Sequence, residues 1–277
     1  MPSSTSSSLY SPFRYPGGKT WLIPLVRCWL RQAAPPELLV EPFAGGGIVG
    51  LTAAFESLAD RVLMTELDEE VAAVWKVILQ GESEWLAEKI LAFELTHENI
   101  ARELGNPCKD TRDLAFCTLL KNRVFHGGII AKGSGMLKAG ENGRGIASRW
   151  YPQTLAKRIR AIEQVRQRIR FRQADAFEVL EAERSNAGAF FFIDPPYTRA
   201  GRRLYTHFDL DHEKLLRLTA RLEGRFLLTY DDTEEIRTLA AQQGLPFRTI
   251  PMKTTHHLEK RELILSDHFG WWPQAGQ

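Results

Sequence analysis

The run Gly45-Gly46-Gly47-Ile48-Val49-Gly50 constrains this chain more than any other stretch of similar length. Glycine reaches positive φ at no steric cost, so such a cluster marks a sharp turn where backbone N–H groups can approach a ligand closely. The turn follows a short apolar segment, Leu38–Val40, and opens a helix of small residues over Gly47–Phe55. Strand, glycine turn and helix in that order meet the context that a nucleotide-binding GxGxxG turn requires. An acidic side chain is then expected about 20 positions on, at the end of the next strand, to accept from ribose hydroxyls. Glu66, just past the apolar Val62–Met64, stands there. These residues leave NAD and S-adenosylmethionine equally open, because both present a ribose and an adenine to the same crevice.

The alternation continues along the chain. Leu22, Leu25, Val26, Trp29 and Leu30 recur at helical spacing and predict a helix over Thr20–Arg31, with Pro24 tolerated in its first turn and Pro35-Pro36 ending it. Val71, Val74, Trp75 and Ile78 predict another. Strand-like segments resume at Ile169–Phe171, Phe190–Ile193, Phe226–Thr229 and Leu263–Leu265. This pattern predicts an α/β fold, a Rossmann-like parallel sheet covered on both faces. It is interrupted between Glu94 and Gln167, where the chain reads as mainly helical, with a glycine-rich stretch over Gly127–Gly145 expected to form a mobile hairpin or loop. The expected organisation is a disordered Ser-rich leader at 1–8, a catalytic domain built from 9–93 and 168–270, a basic helical insertion at 94–167 and a tail at 271–277.

The net charge of +2 conceals an uneven distribution. Residues 100–172 hold 16 Lys and Arg against 5 Asp and Glu, while the rest of the chain holds 20 against 29. A basic segment in an acidic body suits a protein that neutralises phosphates with one part of its surface.

The strand Ala189–Ile193 delivers Asp194-Pro195-Pro196-Tyr197 to its carboxyl end, the edge at which open α/β sheets bind ligands. The two prolines lack N–H groups, leaving nearby carbonyls free to accept from a ligand. Asp194 adds a second acceptor and Tyr197 a flat aromatic face. Two acceptors and a phenol suit an exocyclic amine on a planar ring. A dehydrogenase has no use for that set, which tips the cofactor toward S-adenosylmethionine.

Several classes are excluded. Pro16-Gly17-Gly18-Lys19-Thr20 imitates the end of a phosphate loop, but Phe13 occupies the position of its first glycine and no strand precedes it. Cys28, Cys108 and Cys117 are odd in number and form no CxxC pair, which argues against a disulfide scaffold and a structural zinc and for a reducing compartment. No apolar run approaches the roughly 20 residues of a membrane span, and Met1–Ser8 lacks the features of a signal peptide. His256-His257 with Glu259 lies on an extended segment where adjacent side chains point to opposite sides, so no metal site is expected.

Phe13-Arg14-Tyr15-Pro16-Gly17-Gly18-Lys19, Glu41-Pro42-Phe43-Ala44-Gly45-Gly46-Gly47 and Asp194-Pro195-Pro196-Tyr197, in that order with an insertion before the last, resemble the Dam-like DNA adenine N6-methyltransferases. The resemblance covers most of the chain from Ser11 to about Asp267. It implies a Rossmann-like S-adenosylmethionine-dependent methyltransferase sheet with an inserted, mainly helical target-recognition domain. Tyr15 and Lys19 would line the cofactor pocket, with Lys19 near the methionine carboxylate. Phe43, Ala44, Gly45 and Gly47 would wrap the methionine, Glu66 would take the ribose, and Asp175 with Phe177 would hold the cofactor adenine. Family members more often carry Asp at the ribose position, so Glu66 reaches one methylene further. Asp194 and the Pro195 carbonyl would bind the target N6, and Tyr197 would stack on the flipped base. Lys121-Asn122-Arg123-Val124-Phe125-His126-Gly127-Gly128 is similar to the family's DNA-facing segment, making Arg123 and His126 the expected contacts, with Lys132, Lys138, Arg144 and Arg149 behind them. The segment after it departs from GATC-specific members, so no recognition site is assigned. The resemblance further implies double-stranded DNA as partner, no membrane, no metal, a monomer or weak dimer, and a cytoplasmic, bacterial or phage-encoded protein.

Overall fold

The computed structural model describes residues 10–14, 18–131, 133–138, 140, 143–197, 209–253 and 259–273. The leader, Tyr15, Lys132 and the His256-His257 pair therefore lie outside the described residues.

β4 (Ala189–Ile193) is buried along its whole length, as five consecutive apolar residues require. Its alternating side chains feed two cores: Phe190 and Phe192 join one apolar cluster, Phe191 and Ile193 the other. A strand buried on both faces belongs in the middle of a sheet. β4 sits there, in a seven-stranded sheet of order β3-β2-β1-β4-β5-β7-β6, with β1 (Leu38–Glu41), β2 (Arg61–Glu66), β3 (Ile169–Gln173) and β5 (Arg225–Asp231). These five strands run parallel. β7 (Glu259–Ser266) returns antiparallel to both β5 and β6 (Phe247–Lys253). The order reverses between β1 and β4, so the loops that leave their carboxyl ends diverge and open a crevice.

On one face lie α1 (Ile23–Leu30), α2 (Ile48–Phe55) and α3 (Glu69–Val77); after α4 (Ser83–Ala92), α5 (His97–Gly105), α6 (Thr111–Val124) and α7 (Pro152–Glu163), the chain places α8 (Ala176–Glu183), α9 (His212–Thr219) and α10 (Glu234–Gln242) on the other. The expected first helix is divided at Pro24: a 3-10 turn over Lys19–Leu22 precedes α1, whose first turn holds the proline. The strand β6 gave no sequence signal, because Pro251 and alternating polar residues leave Phe247–Lys253 without an apolar run.

The segment 94–167 does not stand apart from the sheet. Its helices α5 (His97–Gly105), α6 (Thr111–Val124) and α7 (Pro152–Glu163) follow α4 (Ser83–Ala92), and α6 packs on α3 while α7 packs on α4. Ile100, Phe116, Leu119, Leu155 and Ile159 share one apolar cluster with Leu39, Val62 and Phe190. The glycine-rich stretch and its flanks also contribute: Met136 within it pairs with Phe125 before it as an antiparallel bridge, and Leu137, with Ile146 and Trp150 just after it, is buried. The basic excess is partly spent inside the molecule. Arg112 pairs with Glu82 at 2.5 Å, Lys121 with Glu70 at 2.7 Å, and Arg160 with Glu84, each joining the segment to α3, α4 or the turn between them. Among the described residues no helix is long and apolar enough to cross a membrane.

Candidate functional site

β1 ends at Glu41, and the chain turns through Gly45 (φ 46°) and Gly47 (φ 61°) before α2. Gly47 is fixed twice over, by its left-handed backbone and by Met64 and Trp75, which lie where a Cβ would sit. Gly50 is likewise pressed on Glu41 and Val62, which lets α2 lie close to the sheet. The Trp75 indole N–H donates to the Gly45 carbonyl at 2.9 Å, and Ala44 N–H donates to Thr65 O at 2.9 Å. The turn is thus held from below by β2 and α3.

Glu66 closes the same turn. Its Oε2 accepts from Gly45 N–H at 2.9 Å, and its Oε1 accepts from Leu67 and Asp68 N–H at 2.8 and 3.0 Å. The additional methylene relative to Asp lets the carboxylate span both loops. Three of about four acceptor positions are filled, leaving Oε2 one more bond to take. Burial pushes this carboxyl above the ordinary range, and the three amides pull against that rise. Asp175 caps α8, its Oδ1 accepting from Phe177 N–H at 2.7 Å, and the Phe177 ring lies 4.6 Å from the Lys214 ammonium.

Register places the second half of the site. Ile193 on β4 is opposite Leu228 on β5, so Asp194 emerges beside Thr229. The Thr229 hydroxyl donates to Asp194 Oδ1 at 2.6 Å, and Lys19 Nζ meets the same oxygen at 2.9 Å. Lys19 is only 3% exposed, and its ammonium also lies 4.8 Å from the centre of the Tyr197 ring. Tyr197 stacks on Tyr230 with ring centres 6.1 Å apart. Its phenol oxygen and Glu262 Oε2 are buried, and neither makes a hydrogen bond of acceptable geometry among the described residues. Burial, with the negative charge of Asp194 and Asp231, pushes the Glu262 carboxyl up to about 7 against the pull of Lys19. Glu41, whose Oε2 accepts from Gly50 N–H at 2.8 Å, is pushed to about 8, chiefly by burial.

A cavity of about 650 Å³ joins the two halves, within the range of small-molecule sites. Phe43, Ala44, Gly45, Gly47 and Glu66 line it on one side, and Lys19, Asp175, Phe177, Asp194 and Pro196 on the others. The structure thus gathers the expected cofactor residues that are described. Two expectations about the amine-binding corner change. Pro195 is buried and Tyr197 is turned beneath Lys19, so neither lines the cavity. Lys19 lines it but has its ammonium on Asp194.

The residues expected at DNA divide sharply. His126, Lys138 and Arg144 are exposed, Arg149 is half-buried, and Arg144 lies over the exposed Tyr151 ring at 5.6 Å. Arg123 is corrected: it is 5% exposed, and its guanidinium donates to the Pro12 carbonyl inside the molecule. Its neighbour Asn122 accepts from Arg14 N–H at 2.9 Å and donates to Arg14 O at 3.0 Å and Gly128 O at 2.8 Å. Arg158 donates to Ser11 O at 3.2 Å, and the Ser11 hydroxyl donates to Gly46 O at 2.5 Å. Residues 11–14 therefore form a strap between the glycine turn and helices α6 and α7. Sequence spacing gave no signal for Ser11, Arg158 or Glu262 as parts of the site, because their positions depend on which strands and helices meet.

No protein-family model matches the chain, and no curated protein matches it in sequence. Among solved structures it is similar to a SAM-dependent methyltransferase from Agrobacterium tumefaciens, at 11% identity over 89% of this chain and 61% of that one, with a TM-score of 0.41. It is similar to the rRNA methyltransferase AviRa from Streptomyces viridochromogenes at 13% identity, over 95% and 90% of the two chains, with a TM-score of 0.40. It is also similar to M. jannaschii TYW2 in complex with AdoMet, at 9% identity over 89% and 75%, with a TM-score of 0.36. The chain spans about three fifths of the Agrobacterium structure. Likeness this loose adds no weight to the sheet order and cavity, which define a Rossmann-like α/β fold on their own geometry.

Proposed function

We propose that the chain is an S-adenosylmethionine-dependent methyltransferase that acts on adenine N6 in double-stranded DNA. The observation that carries this reading is Asp194, set at the carboxyl end of β4, oriented by Lys19 and Thr229, and facing the cavity that the glycine turn shapes. It joins the resemblance of three ordered motifs, which names the amine.

The residues present fit the cofactor. Glu66 keeps one acceptor position for a ribose hydroxyl, and Phe177 beside Asp175 offers an aromatic face and a carboxylate for an adenine. When bound, S-adenosylmethionine supplies a methyl group already activated by its positive sulfur. The protein's task is then to sharpen the nucleophile and align it. An adenine N6 amine is conjugated with its ring and attacks poorly. Asp194 Oδ1 is engaged by Lys19 and Thr229, so Oδ2 is the atom left to accept a hydrogen bond from the amine N–H. That hydrogen bond raises electron density on the nitrogen. A base in a duplex cannot enter such a cavity, so it must be extruded, at a cost of about a few kcal/mol. Tyr197 would meet the extruded base by turning out from beneath Lys19. Exposed Lys138 and Arg144, with Arg149, would hold phosphates.

The test is transfer of labelled methyl from S-adenosylmethionine to duplex DNA, followed by nucleoside analysis. N6-methyladenine from the native protein and none from Asp194→Ala is the expected result. Label appearing on cytosine or only in RNA would replace the substrate, and label with Asp194→Ala at the native rate would overturn the mechanism.

A further inference from the structure

The strap of residues 11–14 has a cationic lining that neither the amine nor the adenosine half of the site uses. Arg123 is 5% exposed, and its Nε is buried without a partner among the described residues. Arg158 stands beside it, tied to Ser11 O, and both side chains line the cavity together with Arg14. The ionisable groups that act on Arg123 are Arg158 and Arg14, both of like charge, which with burial lowers the guanidinium to about 9. Arg158 is lowered as well, first by burial and then by Arg14. A buried cation with no counter-charge among the described residues is costly, so this corner is suited to receive an anion.

The position narrows which anion. Ser11, held by Arg158 through its carbonyl, donates its hydroxyl to Gly46 O, so the arginine wall abuts the glycine turn. Phosphates run along the outside of a duplex, whereas a carboxylate on a small molecule inside the cavity can meet the half-buried Arg158, with Arg123 buried behind it. Lys19, the other cation of the site, has its ammonium on Asp194.

We infer that Arg158, backed by the buried Arg123, forms a carboxylate site that anchors the amino-acid end of the cofactor. This rests on the S-adenosylmethionine reading above and assigns one end of that molecule to the strap. The planar guanidinium fork matches a carboxylate in a way an ammonium does not. The site would also tie cofactor binding to segments 11–14, 122–128 and 152–163, which meet at this corner.

Calorimetric titration of the full chain with S-adenosylmethionine and with decarboxylated S-adenosylmethionine tests the assignment. The native protein should prefer the carboxylated compound by about tenfold or more, as one or two charge-assisted bonds require. Arg158→Gln, at a half-buried position, should close most of that gap by weakening the carboxylated compound far more than the decarboxylated one; Arg123→Met should do the same if its thermal unfolding stays cooperative. A preserved gap in Arg158→Gln, or equal loss of both compounds, overturns the inference. Weaker duplex binding by Arg158→Gln with the gap intact overturns it too, and assigns the anion to nucleic acid. Native protein that binds neither compound refutes the cofactor reading itself, and the inference falls with it.

Discussion

Lys19 Nζ lies 2.9 Å from Asp194 Oδ1 with 3% of the lysine side chain exposed, so an N-terminal turn supplies the counter-charge for the carboxylate at the end of β4. Removing one member of a buried pair leaves the other uncompensated. Lys19→Met should lower stability by about 3 kcal/mol in denaturant unfolding and reduce methyl transfer by about a hundredfold. Thr229→Val removes one donated bond and should cost about 1 kcal/mol. A Lys19→Met protein with native stability and native kcat would remove Lys19 from the site.

Stability should fall as pH rises through neutrality. Glu41 is pushed to about 8 and Glu262 to about 7, both above the ordinary 4.5. The folded state therefore holds more protons than the unfolded one between pH 4.5 and these values. The stability associated with each carboxyl is complete below the unfolded value and is lost until its folded value is passed, at up to about 1.4 kcal/mol per pH unit for each group. Urea unfolding between pH 5 and 9 should show that decline, and Glu41→Gln should flatten its upper part. A rise in stability over the same interval would contradict it.

Gly47→Ala should be among the more damaging single methyl additions in the chain. The position needs φ of 61°, and the added carbon would enter Met64 and Trp75. A loss of about 3 kcal/mol or more is expected in chemical unfolding, together with weaker cofactor binding, since the turn must shift.

Charge removal should separate two kinds of basic residue. Lys138→Ala with Arg144→Ala takes away exposed charges and should weaken duplex binding and reduce its salt slope by about two. Arg112→Ala with Arg160→Ala removes cations already paired with Glu82 and Glu84, and should leave that slope nearly unchanged. Fluorescence anisotropy over a salt series measures both, and equal slopes for the two double variants would abolish the distinction.

The parallel part of the sheet was legible because its strands carry their own signals, whereas β6 carries none and the antiparallel return of β7 depends on it. Ala189–Ile193 is apolar on both faces, and Gly45–Gly47 reads as a turn, so the junction of strand, cavity and Asp194 follows from local residues. What was not legible depends on partners far along the chain. Arg123 reads as a surface cation in sequence, and only the arrival of Pro12 at α6 shows why it is buried. Tyr197 reads as a free aromatic face, yet Lys19 and Tyr230 draw the ring inward. The local charge excess likewise read as one surface, although Glu70, Glu82 and Glu84 take up three of its cations.

The strap has a consequence for the order in which the molecule assembles. Residues 11–14 find their partners 108, 111 and 147 positions later, at Asn122, Arg123 and Arg158. A chain synthesised from its N-terminus exposes the strap and the glycine turn long before α7 exists to fasten them. A nascent chain that stops short of Arg158 would already own the turn and Glu66 but lack one wall of the cavity. Competence to bind is therefore a late event in synthesis, reached only after the first-made residues are captured by much younger ones.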